Sequence, residues 1–140
     1  MNRLFPFTRL IKWWESLEVF ARPLNLIPGR WILYEYYTEP GSELLNIKEE
    51  QLKSDNRFWK IEFSQKGELR QNSNLPVRFM EDIPQCCWRL AGNYLKIIHP
   101  ENSNYYEEFQ YAVEKEFLRL LKKDLSGRIV FFGFFKKETV

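Results

Sequence analysis

The sequence predicts an all-β fold: an eight-stranded antiparallel up-and-down barrel preceded by one N-terminal α-helix. Three observations point there. After Pro28-Gly29, short runs that alternate apolar and polar residues follow one another closely. The runs are joined mainly by tight turns, too short for the crossovers that parallel strands need. Five Trp, seven Tyr and twelve Phe supply more aromatic surface than a small helical bundle requires. A meander this long is most stable when it closes on itself and removes its edges.

The elements follow in order. Phe7, Leu10, Ile11, Trp14, Leu17 and Ala21 recur at helical spacing, so residues 7–21 read as an amphipathic helix between Pro6 and Pro23. Such a helix either packs on the domain and caps an open end, or lies on a partner or membrane with Trp13 and Trp14 as anchors. Pro28-Gly29 turns the chain, and Arg30–Thr38 reads as the first strand. Residues 39–57 are the longest polar segment, a loop with a short helical turn near Ile47 to Leu52. Phe58–Ser64 alternates cleanly, with Trp59, Ile61 and Phe63 against Lys60 and Glu62. Lys66-Gly67 turns it into Glu68–Gln71. Leu75–Met80 is expected as a further strand, interrupted by Pro76. Cys86–Ala91, Tyr94–His99, Tyr105–Val113 and Phe117–Leu121 follow, separated by Gly92-Asn93, by Pro100 to Asn104 and by a short connection. Lys122 to Gly127 turns, and Arg128–Lys136 is apolar on both faces.

The 140 residues are expected to form a single domain, with 1–27 as helix and lead-in and 28–137 as the barrel. The net charge is +2 and neither half of the chain is basic, which argues against a dedicated nucleic-acid binder. One His and two Cys leave little for a metal site and nothing for a disulfide scaffold, so no metal and no cofactor are expected. Cys86 and Cys87 are adjacent and point to opposite faces of a strand. Free thiols, no recognisable export signal and no apolar run long enough to span a bilayer lead to a cytoplasmic expectation. No phosphate loop, nucleophile elbow or zinc-protease signature is present, and no catalytic residue is assigned.

One resemblance emerges from the order of these pieces. Gly29-Arg30-Trp31, after a helix and opening the first strand, is similar to the G-x-W signature of the lipocalins and wider calycins. Trp59, Phe63, Lys66-Gly67 and Leu69, then Trp88, Leu90, Gly92, Asn93, Leu95 and Ile97, then an apolar last strand, resemble the bacterial lipocalin-like domains over residues 26 to 137. The resemblance implies an eight-stranded barrel, open at one end, that holds a small apolar ligand. It also implies that the signature Trp closes the floor against a basic residue of the last strand, here Trp31 with Arg128.

If Trp31 points inward, a period of two turns Glu35 and Tyr37 inward as well, unless a bulge intervenes. The same logic proposes Trp59, Phe63, Trp88, His99, Glu107, Phe109 and Tyr111 as cavity-facing candidates. Glu35 and Glu107 would then read an amine or hydroxyls on a ligand, or else sit in water at the barrel mouth. His99 is a solvated turn residue, or a proton shuttle with Glu107 or Tyr105 as partner. Three functions remain open from the sequence. The first is a non-enzymatic binder of a small hydrophobic or amphipathic molecule. The second is a protein-interaction module with a filled barrel, using the N-terminal helix or the 39–57 loop. The third is an enzyme built on the same barrel.

Overall fold

The computed structural model describes residues 23–102 and 104–139. The helix expected over 7–21 lies outside them. The described chain starts with a single helical turn, α1 (Pro23–Leu26), and continues into β1 (Gly29–Thr38), β2 (Leu45–Ile47), α2 (Glu49–Ser54), β3 (Trp59–Phe63) and β4 (Leu69–Ser73). It then passes through β5 (Cys87–Ala91), β6 (Tyr94–Ile98), β7 (Tyr106–Val113), β8 (Phe117–Lys123) and β9 (Ile129–Lys137). Every strand pairing is antiparallel, in the spatial order β4-β3-β1-β9-β8-β7-β6-β5, with β2 paired to β1.

Nine strands fill eight positions. One edge of β1 pairs along its length with β9. The other edge pairs first with β3 (Gly29–Ile32) and then with β2 (Tyr36–Thr38). So β2 and β3 are two halves of one barrel stave, separated by α2, whose Leu52 is buried against the core. The polar stretch 39–57, expected as loop, therefore contributes a short strand and a helix. Leu45–Ile47 was not legible as a strand because three residues carry no periodicity.

The barrel closes between β4 and β5 at one end only. Glu68 and Cys87 form a single bridge, flanked by the Leu69 N–H on the Cys86 carbonyl at 3.0 Å and the Trp88 N–H on the Gly67 carbonyl at 2.9 Å. Beyond that point the edge of β4 away from β3 has no strand beside it. The space is taken by residues 74–86, where Leu75–Met80 was expected as a strand. That segment is irregular. Pro76 and Pro84 have no N–H to give to a ladder, and Gln85 adopts a positive φ of 59°. Instead of lying in the wall, it folds across the end of the barrel.

Pairing register defines the interior. Trp31, Leu33, Ile61, Phe63, Leu69, Leu95, Ile97, Phe109, Leu118, Leu120, Phe131 and Phe135 are buried there in one cluster. Each fully buried Leu, Ile or Phe contributes about 1.5–3 kcal/mol relative to exposure. A bulge between Leu33 and Glu35 inserts Tyr34 as an extra residue in β1, and this reverses the faces of everything after it. Tyr36 therefore points in and Tyr37 points out. Lys60, Glu62, Arg70, Arg89 and Glu108 stud the outer wall, the inverse of a barrel whose outer wall faces lipid. On β1, β9, β8 and β7 the outer wall also carries a second buried cluster of Tyr37, Ala112, Leu121, Ile129 and Phe132. Among the described residues no helix is long and apolar enough to cross a membrane.

Candidate functional site

The two ends of the barrel differ in how they are sealed. At the floor, the Trp31 indole is fully buried and donates its Nε1–H to the Ile27 carbonyl at 2.8 Å. Lys137, the last residue of β9, sits over the Trp31 ring with Nζ 4.8 Å from the ring centre and donates to the Pro28 carbonyl at 2.9 Å. Gly29 makes room for this lysine. Its φ is +136°, and a Cβ there would stand 2.7 Å from the Lys137 side chain. The basic partner of Trp31 is thus Lys137, and the expected Trp31–Arg128 pair is not formed. Because β9 runs antiparallel to β1, its first residues lie beside Thr38 at the opposite end; the neighbouring Ile129 N–H bonds the Glu39 carboxylate at 3.1 Å.

Phe63 and Trp88 belong to the same sealed end. Their rings meet edge to face at 5.5 Å, and the Trp88 Nε1–H donates to the Ser64 carbonyl at 3.0 Å. Tyr111 points inward near the floor, with its hydroxyl 3.4 Å from the Gly92 carbonyl. These three candidates make the seam and the base of the barrel.

The other end, the mouth, is closed by the 74–86 segment acting as a plug. Phe79 is 8% and Met80 1% exposed. The Phe79 ring stacks on Phe131 at 4.7 Å and meets Tyr36 edge-on at 5.5 Å. Trp59 completes this aromatic slot, 5.2 Å from Phe131, and donates its Nε1–H to Gln71 Oε1 at 2.9 Å. The next residue, Glu81, gathers the polar contacts. Its carbonyl accepts from Gln71 Nε2 at 2.9 Å, its N–H donates to Glu107 Oε1 at 2.7 Å, and its carboxylate accepts from the Tyr105 hydroxyl at 2.7 Å. That last bond favours the neutral phenol and raises the Tyr105 pKa. Asn74 anchors the start of the plug through Phe58 N–H and the Asn56 carbonyl, both at 2.7 Å.

Glu107 is the inward carboxylate at the mouth, and it is already engaged. Besides the Glu81 N–H it accepts from Lys122 Nζ at 2.8 Å, and that ammonium also lies 5.3 Å from the centre of the Phe109 ring. In this arrangement Glu107 ties β7, β8 and the plug together. A small cleft of about 20 Å³, open to solvent between β3, β4 and the plug, is bordered by Trp59, Gln71, Arg78, Phe79, Met80 and Asp82 and has room for about one water molecule. Beside the plug an open recess of about 360 Å³ is bordered by Arg78, Phe79, Glu107, Lys122 and Arg128.

Three sequence candidates fall outside the interior. The bulge at Tyr34 puts Glu35 on the outer face, where its carboxylate accepts from Asn46 Nδ2 at 3.1 Å, and puts Tyr37 in the outer cluster, where burial raises its pKa. His99 stands at the rim. Its Nδ1 accepts from the Glu101 N–H at 3.3 Å and its ring meets Tyr105 edge-on at 5.6 Å, so it organises a turn. The residues that the sequence did not single out are Gln71, Phe79, Met80, Glu81, Lys122 and Phe131. A signal for an irregular segment did exist: Pro76 interrupts the alternation of Leu75, Val77 and Phe79, Met80 follows directly on Phe79 and breaks it, and Pro84 lies just beyond.

Cys86 is buried, burial raises its thiol to about 11, and Cys87 is exposed; both are free. Among the described residues no three His, Cys, Asp or Glu side chains gather as a metal site. No protein-family model, no curated protein and no solved structure matches the chain.

Proposed function

We propose that the chain binds a small apolar or amphipathic molecule inside the barrel, without chemistry, and that the 74–86 segment moves aside to admit it. One observation carries this reading: the mouth is shut by a loop and not by the strands. Its apolar plug occupies an aromatic slot between Phe131, Tyr36 and Trp59, and its latch is a few hydrogen bonds gathered on one residue, Glu81. These three bonds are solvent-exposed, so water replaces them as the latch opens, and it opens at far less cost than a stave. The floor supports kinship with the lipocalins, since Gly29, Trp31 and a basic residue of the last strand, Lys137, meet there.

A second reading has its own support. The interior is already filled by rings in mutual contact, which suits a protein-interaction module that presents the helix expected from the sequence over 7–21, or the 39–57 segment, to a partner. Native mass spectrometry separates the two, followed by titration of the tryptophan fluorescence with apolar probes. A stoichiometric bound molecule, or a saturable change in emission, is expected for the binder. A clean apo mass with no response to any probe would discard the binder and leave the interaction module.

A further inference from the structure

The barrel wall is one sheet thick, so a side chain that points outward is covered only where a second layer lies on it. Five outward residues of four neighbouring strands are buried all the same: Tyr37 of β1, Ile129 and Phe132 of β9, Leu121 of β8 and Ala112 of β7. Rings extend this patch into a stripe. Phe132 lies 6.1 Å from Tyr37 and 4.9 Å from Phe134, and Phe134 lies 6.3 Å from Tyr34. We infer that the stripe is the seat of residues 7–21 of the same chain, docked by their apolar face as a helix along the outside of β7, β8, β9 and β1. The inference does not depend on what the barrel binds.

Burial, tether, length and charge all select that occupant. The stripe is buried within a single chain, whereas a face kept for a bilayer or a transient partner stands exposed. The tether is short. The described chain starts at Pro23, α1 packs against β7, and the Ile27 carbonyl holds Trp31 at the floor. Arg22 alone separates Ala21 from Pro23, so the end of the helix expected from the sequence is fixed at the floor, beside the stripe. A helix over 7–21 is about 22 Å long, and β9 from Ile129 to Lys136 covers about 23 Å. Neither end of the barrel needs the helix, since Trp31 and Lys137 seal the floor and Phe79 and Met80 the mouth.

The charges agree as well. Phe7, Leu10, Ile11, Trp14, Leu17 and Ala21 form the apolar face of the helix. One carboxylate interrupts that face: Glu18 follows Trp14 by four residues and Ile11 by seven. The stripe carries a buried cation at its floor end. Arg119 is 7% exposed, with its guanidinium 5.2 Å from the centre of the Phe117 ring and 5.9 Å from that of Phe134. Glu114 meets it at 2.9 Å from a half-exposed position. Docking upward from the floor brings Glu18 to Arg119 from the covering side. Trp14 then faces the wall, and Lys12, Glu15 and Ser16 are left on the open side.

The test uses the full chain. Cys87→Ser leaves buried Cys86 as the only native thiol, and Ala112→Cys places a reporter thiol in the stripe. Iodoacetamide is expected to modify the reporter slowly, and about tenfold or more faster once Leu10→Asp and Trp14→Asp are added, since each takes an apolar side chain out of the seat. Unchanged labelling in a folded protein with those two substitutions overturns the proposal. Labelling that speeds on dilution alone, with a dimer mass by light scattering, gives the seat to a second copy. Labelling slowed only by anionic lipid vesicles gives it to a bilayer, and either result overturns the docking. Glu18→Gln should speed labelling about threefold or more while Glu15→Gln leaves it unchanged; equal effects overturn the pairing with Arg119. Should Ala112→Cys fail to fold, carbodiimide coupling on the unaltered chain decides. A bond within one monomer from Glu15 or Glu18 to Lys115 or Lys123 is expected, and none, or bonds only between monomers, refutes the docking.

Discussion

Gly133 is the position where one added methyl group should do the most. It lies inward in β9, paired with Tyr36 on one side and Leu120 on the other. A Cβ placed there would be 2.1 Å from Phe131 Cζ and 2.5 Å from Cε2, against the ~3.5 Å of ordinary carbon contact. The ring must move by more than an ångström. It is fully buried, with Trp59 at 5.2 Å, Phe135 at 6.4 Å and Tyr36 at 5.7 Å. Only Phe79, on the plug, belongs to a segment outside the hydrogen-bonded wall. Gly133→Ala should therefore cost about 1–3 kcal/mol of overpacking, offset by about 0.4–1 kcal/mol because alanine restricts the unfolded chain. The net loss of about 1–2 kcal/mol corresponds to a fall in Tm of roughly 3–8 °C for a chain of this size. Thermal unfolding by circular dichroism measures it, and exchange at the 75–86 amides should rise first. Adding Phe131→Leu removes the clash, so the double mutant should lose less than the two single losses combined. An unchanged or higher Tm for Gly133→Ala, or strictly additive losses, would refute the reasoning.

Three further outcomes follow from the floor and the thiols. Lys137→Met removes the cation over Trp31 and the bond to the Pro28 carbonyl, and should cost about 1–2 kcal/mol in denaturant unfolding, whereas Arg128→Met should stay within about 0.5 kcal/mol; the reverse ranking would restore Arg128 as the floor residue. Near neutral pH, mass spectrometry after treatment with iodoacetamide should show one modification, on exposed Cys87, and a second on Cys86 only in denaturant. The Cys86 thiol is raised from 9.0 to about 11 by burial, so its contribution to stability is complete below pH 9 and is lost as pH rises through 11. Replacing it with alanine should flatten the alkaline limb of the stability profile between those values, and an unchanged limb would show that Cys86 does not set it.

Much of the architecture was legible locally. Trp59, Ile61 and Phe63 alternate with Lys60 and Glu62, and the observed burial follows that alternation residue by residue. The turns at Lys66-Gly67, Gly92-Asn93 and before Arg128 stand where the composition put them, and consecutive hairpins leave only antiparallel neighbours. Periodicity and turn chemistry act over a few residues, so a single sequence displays them. The inward ranks of Trp59, Phe63, Trp88, Glu107, Phe109 and Tyr111 follow from the same rule.

What the chain could not display alone is whatever depends on residues far apart meeting. One extra residue at Tyr34 reverses Glu35 and Tyr37, and nothing in Leu33-Tyr34-Glu35 announces it, because a bulge is a mismatch between two strands and not a property of one. Antiparallel pairing of the first and last strands brings Lys137, not Arg128, over Trp31, since register decides which end of β9 reaches the floor. Residues 75–80 looked like a wall strand by apolar content. Only the offset closure at Glu68 and Cys87, which leaves the rest of the β4 edge facing β5 unpaired, opens the space that Phe79 and Met80 fill. Local pattern determined the strands and turns; the closure of the sheet on itself decided which side chains share the inside, because that depends on the summed offsets of every stave.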